Sequence, residues 1–237
     1  MRILAIADVE ERCLWDFYSE ERFSDVDLIL SAGDLCADYL EFLVTVTNKP
    51  LFYVRGNHDD AYAKHAPGGC ICVEDSVYVW NGLRIAGLGG SLRYRDGRNM
   101  YSEREMARRV LKLEPKVRLA GGVDILLTHA PARGVGDLED LPHRGFECFN
   151  GALRRWRPDL LVHGHVHKGY ETSFKRERVL SGGCRVVNAC GYALIDVDEK
   201  RYPDRGWRGA WLNAQTMRRE RAALAASRPV LFDEAYW

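Results

Sequence analysis

The chain has 237 residues, 46% of them hydrophobic, enough for one large domain with its own core or for one domain plus an appendage. Lys plus Arg and Asp plus Glu each number 34, so the net charge is zero and supplies no general attraction to nucleic acid or to an anionic membrane. The seven cysteines are odd in number and scattered without C-x-x-C spacing, which argues against a disulfide framework and a zinc knuckle and for reduced thiols in a cytosolic protein.

No segment offers the ~18 consecutive apolar residues of a membrane span, and the first residues run straight into a strand pattern without a basic leader, so a soluble, unprocessed chain is expected. Charge is uneven along the chain. Residues 1–60 hold five basic and thirteen acidic side chains, so five minus thirteen leaves −8, a balance that bound cations would offset in part.

Arg2 to Ala7 is an apolar run of buried-strand length ending at Asp8-Val9-Glu10-Glu11. In an extended backbone Asp8 and Glu10 point the same way, as two ligands of one ion must; the competing reading is the acidic start of a helix over 11–19. Val26 to Ser31 predicts a second buried strand ending at Gly33-Asp34, and residues 38–46 a helix packed on the sheet. Leu51 to Val54 predicts a third strand, followed by Arg55-Gly56-Asn57-His58-Asp59-Asp60. There an amide oxygen, an imidazole and two carboxylates fill four consecutive positions beside a glycine that permits close backbone approach.

Residues 70–90 read as β-rich, with Val77 to Trp80 and Leu83 to Gly87 joined by an Asn81-Gly82 hairpin turn. Cys70 and Cys72 share a face and are expected in the core. Residues 89–101 form a glycine- and arginine-rich stretch, read as an exposed loop whose arginines are available to a phosphate. Ser102-x-x-Glu105 is a capping box opening a helix to about Leu113, ended by Pro115. Val123 to Leu127 predicts a strand ending at Thr128-His129, and residues 132–145, carrying Asp137, His143 and Arg144 among glycines, a long functional loop. After a helix over 146–156, Leu160 to Val162 leads into His163-Gly164-His165-Val166-His167. Three imidazoles in five residues are poorly explained by packing: His165 and His167 read as metal ligands, and His163, facing the other way, as core or as support. Closing strands at 185–189 and 193–197 precede an Arg- and Trp-rich stretch with a helix over 213–226. Strands alternating with helices argue a layered α/β architecture with ligands at the strands' carboxyl ends.

In order, Asp8-x-Glu10, Gly33-Asp34, Gly56-Asn57-His58-Asp59, Thr128-His129 and Gly164-His165-x-His167 resemble the signature blocks of the calcineurin-like metallophosphoesterases, within which the chain looks most like the small cap-less phosphodiesterases. The resemblance covers residues 1–198 as a metallophosphoesterase domain and leaves 199–237 as a C-terminal tail. It implies an αββα sandwich of two mixed sheets flanked by helices. It also implies two divalent ions, one on Asp8, Glu10 and His167 and one on Asn57, His129 and His165, with Asp34 bridging and His58 contacting phosphate and assisting the leaving group. The family has a histidine where Glu10 stands; a carboxylate remains a competent ligand for a hard divalent ion.

Oxygen and nitrogen ligands without cysteine suit Mn²⁺ first, with Fe or Zn²⁺ as alternatives. Two such ions sharing a carboxylate and a hydroxide would present that hydroxide in line with a scissile P–O bond. The expected function is therefore hydrolysis of a small phosphorylated substrate, a phosphodiester of the cyclic or small-nucleotide type. Asp137, His143 and Arg144 are expected to shape substrate choice, and the C-terminal tail is a candidate surface for a homo-oligomer. The competing readings are a non-catalytic metal- or phosphate-binding protein with a degenerate first metal site, and a nuclease, against which neutral charge and short length count.

Overall fold

A computed structural model of the chain describes residues 1–170, 174–198 and 206–227. The alternation of burial along the first strand sets the architecture. In β1 (Arg2–Ala7), Ile3, Ala5 and Ala7 face one hydrophobic cluster while Leu4 and Ile6 face another, so the strand is buried on both sides, as its unbroken apolar run requires. With β2 (Leu28–Ser31), β3 (Leu51–Tyr53), β4 (Ile71–Cys72) and β13 (Gly191–Asp196) it forms a five-stranded sheet in the order β13-β1-β2-β3-β4, parallel except for β13.

A second, six-stranded sheet runs β11-β12-β10-β9-β6-β5, built from β5 (Val77–Trp80), β6 (Leu83–Leu88), β9 (Ile125–Thr128), β10 (Leu160–His163), β11 (Glu177–Val179) and β12 (Arg185–Asn188). Its centre is parallel, and antiparallel pairs close both edges. The sheets share a core in which Ile3, Leu30 and Phe52 from the first meet Ile85, Leu127 and Val162 from the second. The first sheet's outer face is covered by α2 (Ala37–Thr47) through Tyr39, Leu40 and Leu43, beside the short α1 (Glu20–Phe23). The second sheet's outer face is covered by α3 (Glu103–Ala120) and α4 (Glu147–Trp156) through Met106, Val110, Phe149 and Leu153. The layers are thus helix, sheet, sheet, helix, the αββα sandwich that the signature blocks imply.

Two elements depart from expectation. The helix opened by the Ser102 capping box does not stop at Pro115 but runs on to Ala120 and ends at Gly121, whose left-handed backbone caps it. Pro115 faces solvent, and the buried series Met106, Val110, Leu113, Val117, Ala120 keeps its helical spacing past it; packing of the last two outweighs the ~3 kcal/mol a mid-helix proline costs. The supposed loop at 89–101 contains a short parallel pair, β7 (Ser91–Leu92) with β8 (Met100–Tyr101). The helix expected over 213–226 is present as α5 (Gly206–Ser227). Its Asn213 exchanges hydrogen bonds with the Val79 backbone on β5, and its buried Glu220 accepts from the Cys72 backbone on β4, so α5 covers an edge of each sheet. The remainder of the expected tail, residues 199–205 and 228–237, lies outside the described residues. Among the described residues no helix is long and apolar enough to cross a membrane.

Candidate metal centre

Backbone hydrogen bonds tie the carboxyl ends of β1 and β2, through Asp8 N–H to Gly33 O at 3.1 Å, and those of β9 and β10, through Gly164 N–H to His129 O at 3.0 Å. Where β1, β2 and β10 run out, Asp8 (φ 64°), Asp34 (φ 57°) and His165 (φ 71°) take the left-handed conformation, which costs roughly 1–3 kcal/mol at a non-glycine residue. Each turn aims its side chain across the sheet ends. Two glycines let the loops close: a Cβ at Gly56 would collide with the Asp34 carboxylate, and one at Gly164 would lie 2.7 Å from Asp8 Oδ2.

His129 is fully buried. Its Nδ1 lies 2.8 Å from the Ala32 carbonyl, an acceptor only, so Nδ1 carries the proton and Nε2 is left facing Asn57 Oδ1 at 2.9 Å and Asp34 Oδ2 at 3.3 Å. A ring nitrogen and two oxygens converge with no donor among them. Either Nε2 binds a proton or the three share a cation. Without a metal the proton is held hard: burial lowers the His129 pKa, but the Asp34 charge and hydrogen bond outweigh it and raise the pKa to about 9. For Asp34, burial pushes up, and the His129 charge, the His129 hydrogen bond and the His58 N–H at 2.7 Å bring it down to about 2. Burial, followed by the charge on Asp34 after partial relief from His129, lifts Asp8 to about 7.

His165 repeats the tautomer logic from the opposite side. Its backbone N–H meets both Asp8 oxygens at 2.9 Å, and its Nε2 donates to Pro142 O at 2.7 Å, which leaves the Nδ1 lone pair free. Burial, then the His129 charge, hold this ring neutral down to about 3. Ligand atoms of Asp34, His129 and His165 lie within 4.8 Å of one another. The His167 Nε2 stands 3.9 Å from Asp8 Oδ1, its ring stacked on Tyr170 at 4.9 Å, and burial lowers its pKa. His163 is buried and turned away, its Nδ1 2.9 Å from Gly164 O. A cavity of about 290 Å³ lies over this group, lined by Asp8, Asp34, Asn57, His58, His165 and His167, with Tyr94, His143 and Tyr170 at its sides.

The donor set of two carboxylates, an amide oxygen and three imidazoles without thiolate is that of a divalent-cation site, and the convergent lone pairs on His129, Asn57 and Asp34 fit one. Glu10 does not join it. Its side chain is exposed, lies outside the cavity lining and accepts the Cys36 N–H at 3.0 Å at the start of α2. The backbone turns at Asp8 rather than continuing extended, so the alternation that would align Asp8 with Glu10 is lost.

His58 is exposed at the cavity's edge, and its Nδ1 lies 3.4 Å from Arg95 Nη2. A guanidinium only donates, so Nδ1 accepts and the ring proton sits on Nε2. Arg95 and Tyr94, whose hydroxyl lies 3.4 Å from Asn57 Nδ2, come from the 89–101 stretch read as an exposed loop; its arginine content was the signal for their role. Asp59 was quoted in the third block without a role. Its Oδ2 accepts from Asp34 N at 2.9 Å and Gly56 N at 2.7 Å and binds the two ligand loops together.

The 132–145 loop divides. His143 reaches the cavity, its ring 5.5 Å from His165 and 4.5 Å from Tyr170. Asp137 does not: its carboxylate is spent within the loop on Arg133 at 2.7 Å, Gly134 N at 2.8 Å and Gly145 N at 3.0 Å. Arg144 donates to Glu139 O at 2.8 Å and also lies outside the cavity lining. Loop length placed one of the three side chains over the site, and local hydrogen bonding claimed the other two.

The calcineurin-like phosphoesterase family model matches residues 1–169. Over 74 residues the chain is 35% identical to UPF0046 protein T07D4.2 of Caenorhabditis elegans, a match covering 30% of this chain and 17% of that protein. The fold is similar to that of TT1561 of Thermus thermophilus, with a TM-score of 0.58 and 18% identity over 82% of this chain and 93% of that one. A further solved structure aligns with a TM-score of 0.61 and 18% identity over 82% of this chain and 94% of its own.

Proposed function

Because the chain belongs to the calcineurin-like phosphoesterase family, we propose that it is a metal-dependent phosphoesterase that hydrolyses a small phosphodiester at a pair of divalent ions. The observation that carries the reading is the His129 tautomer, whose Nε2 converges with Asn57 Oδ1 and Asp34 Oδ2 as the donors of a shared cation would. His129, Asn57 and His165 would hold one ion, Asp8 and His167 the other, and Asp34 would be shared. Bound divalent ions supply charge neutralisation at the phosphate oxygens and make water nucleophilic at neutral pH.

The chain's own residues supply the rest. The Asp8 and Asp34 carboxylates and the neutral His165 are held in place before any substrate arrives by the backbone N–H groups of His165 and His58 and by Pro142 O. His58, with its proton on Nε2, donates a hydrogen bond to the departing oxygen as its charge develops, and Arg95 keeps it in that tautomer. A diester is favoured over a monoester because, among the described residues, no Lys or Arg lines the cavity, and a singly charged phosphate asks for less compensation beside two aspartates than a dianion does.

Protein stripped with chelator and reloaded with Mn²⁺, Fe²⁺ or Zn²⁺ should hydrolyse bis-p-nitrophenyl phosphate faster than p-nitrophenyl phosphate, with Mn²⁺ the best activator, and should act on cyclic nucleotides. A faster monoester reaction with every metal would refute the diester reading, and one bound ion per chain at saturation would refute the pair.

A further inference from the structure

His58 stands between two hollows. One is the cavity above the candidate ligands; the other is a groove of about 460 Å³ that shares only Asp34 and His58 with it. The groove runs over Leu35, Ala37 and Tyr62, all buried, towards Asp38 and His65 at its far end. The Tyr62 hydroxyl is turned away and spent on the Leu35 carbonyl, so the floor is apolar. Among the described residues its acids are Asp34, Asp59 and Asp38, no Lys or Arg lines it, and His65 at the far end lies 3.6 Å from Asp38 and 3.2 Å from Glu41.

A donor that stabilises a leaving group must face the departing oxygen, and a phosphate seated over Asp8, Asp34 and Asn57 would turn that oxygen towards His58. Whatever the oxygen carries then continues past His58 into the groove. On the premise that the chain hydrolyses phosphate esters with His58 as the donor to the departing oxygen, we infer that this groove is the leaving-group subsite. It takes an alcohol with an apolar body that is neutral or positively charged at its far end, and it rejects one carrying a second anionic group. The step balances: one P–O bond forms to the oxygen of water and the P–O bond to the alcohol breaks. The proton given up by water ends on the alcohol oxygen, and the Nε2–H of His58 donates a hydrogen bond to that oxygen as its charge develops.

The test uses Mn²⁺-loaded full-length protein and three methyl aryl phosphodiesters. Their phenols carry a neutral acetamido, a cationic trimethylammonio or an anionic sulfonate group in the para position, each rate being normalised to its reaction with hydroxide. The neutral and cationic esters should show kcat/KM about tenfold above that of the sulfonate. Asp38→Lys, at a position 77% exposed in its side chain and apart from the Asp34, His129 and His165 group, should reverse the order of the cationic and anionic esters, each read relative to the neutral ester. Discrimination below twofold in the unmodified protein, or an unchanged order in Asp38→Lys, overturns the inference while leaving the phosphodiesterase reading intact. If none of the esters is hydrolysed, the catalytic reading fails instead, and calorimetric titration with the three free phenols then decides the groove. Preference for the neutral and cationic phenols, lost in Asp38→Lys, sustains it, and equal binding of all three overturns it.

Discussion

At the scale of single residues, the site is a set of tautomers chosen by backbone carbonyls. Ala32 O fixes His129 and Pro142 O fixes His165, so each ring offers its remaining nitrogen to the same cluster. His58 is set by Arg95 instead, a contact of 3.4 Å between exposed groups. His58→Ala should therefore leave metal content unchanged while lowering kcat on unactivated diesters about 10²-fold more than on nitrophenyl diesters, whose leaving group needs little stabilisation. Arg95→Ala should show the same selectivity at about a tenth of the size, with little change in KM for the nitrophenyl ester. Steady-state kinetics on the pair of esters, with metal analysis of each variant, measures both; equal losses on the two esters would leave neither residue a part in stabilising the leaving group. Glu10 belongs to a different class. Its carboxylate meets the Cys36 N–H, so Glu10→Ala should leave metal stoichiometry and affinity unaltered in titration calorimetry and cost about 0.5–1.5 kcal/mol in urea unfolding. A tenfold loss of metal affinity would restore it to the ligand set.

At the scale of elements, the strand ends and the loops that follow them behave differently. Strands β1, β2 and β10 deliver their ligands through single left-handed residues, a rigid device. The 132–145 loop instead builds its own framework around the buried Asp137 carboxylate, which ties Arg133, Gly134 and Gly145 together and thereby presents Pro142 and His143 to the cavity. Asp137→Ala should cost about 1–3 kcal/mol of stability by leaving two backbone N–H groups and a guanidinium without their acceptor. It should also lower activity through the loss of the Pro142 carbonyl's aim at His165. Chemical denaturation and the affinity of the metal-free protein for Mn²⁺ would separate the two effects; a variant as stable as the parent would refute the structural role given to Asp137.

At the scale of the whole molecule, the buried site makes metal-free stability depend on pH. The native Asp8 pKa, about 7, lies above its usual value of 3.8, so ionising Asp8 penalises the folded state progressively from about pH 4 to pH 7. The native His129 pKa, about 9, lies above 6.5, so the stability His129 contributes is fully present below pH 6.5 and is lost as pH rises through 9. Both act in the same direction. Asp34, near 2, acts oppositely, and only below about pH 4. His165 and His163, whose burial lowers their pKa values to about 3 and about 4, gain stability as pH rises to 6.5 and oppose Asp8 there, so the chelated protein should lose melting temperature mainly between pH 6.5 and pH 9. Because a bound cation displaces both protons, the gap between metal-loaded and chelated protein should widen over that range. Differential scanning calorimetry of both forms at several pH values checks this, and a gap constant with pH would show that no buried proton is displaced.

What was legible in the sequence was whatever repeats at short range. Five apolar runs of strand length, each followed by Asp, Asn or His, place Asp8, Asp34, Asn57, His129 and His165 at strand ends and argue a layered α/β architecture, because a strand buried on both faces carries no polar residue until it leaves the sheet; the αββα order was implied only by the family resemblance. Glu10 was aligned with Asp8 by strand alternation, but the backbone turns at Asp8 and carries the Glu10 carboxylate to the Cys36 N–H. The rest was decided by contacts between residues remote in the chain. Which nitrogen of His129 is free depends on Ala32, 97 residues away, and the tautomer of His58 on Arg95, 37 residues away. Pro115 stays inside its helix because a sheet lies beneath Val117 and Ala120, and Asp137 is withdrawn from the site because Arg133 and two backbone amides reach it first. Strand ends are written in local hydrophobic pattern. Hydrogen-bond allegiance is settled only when folding brings the partners together.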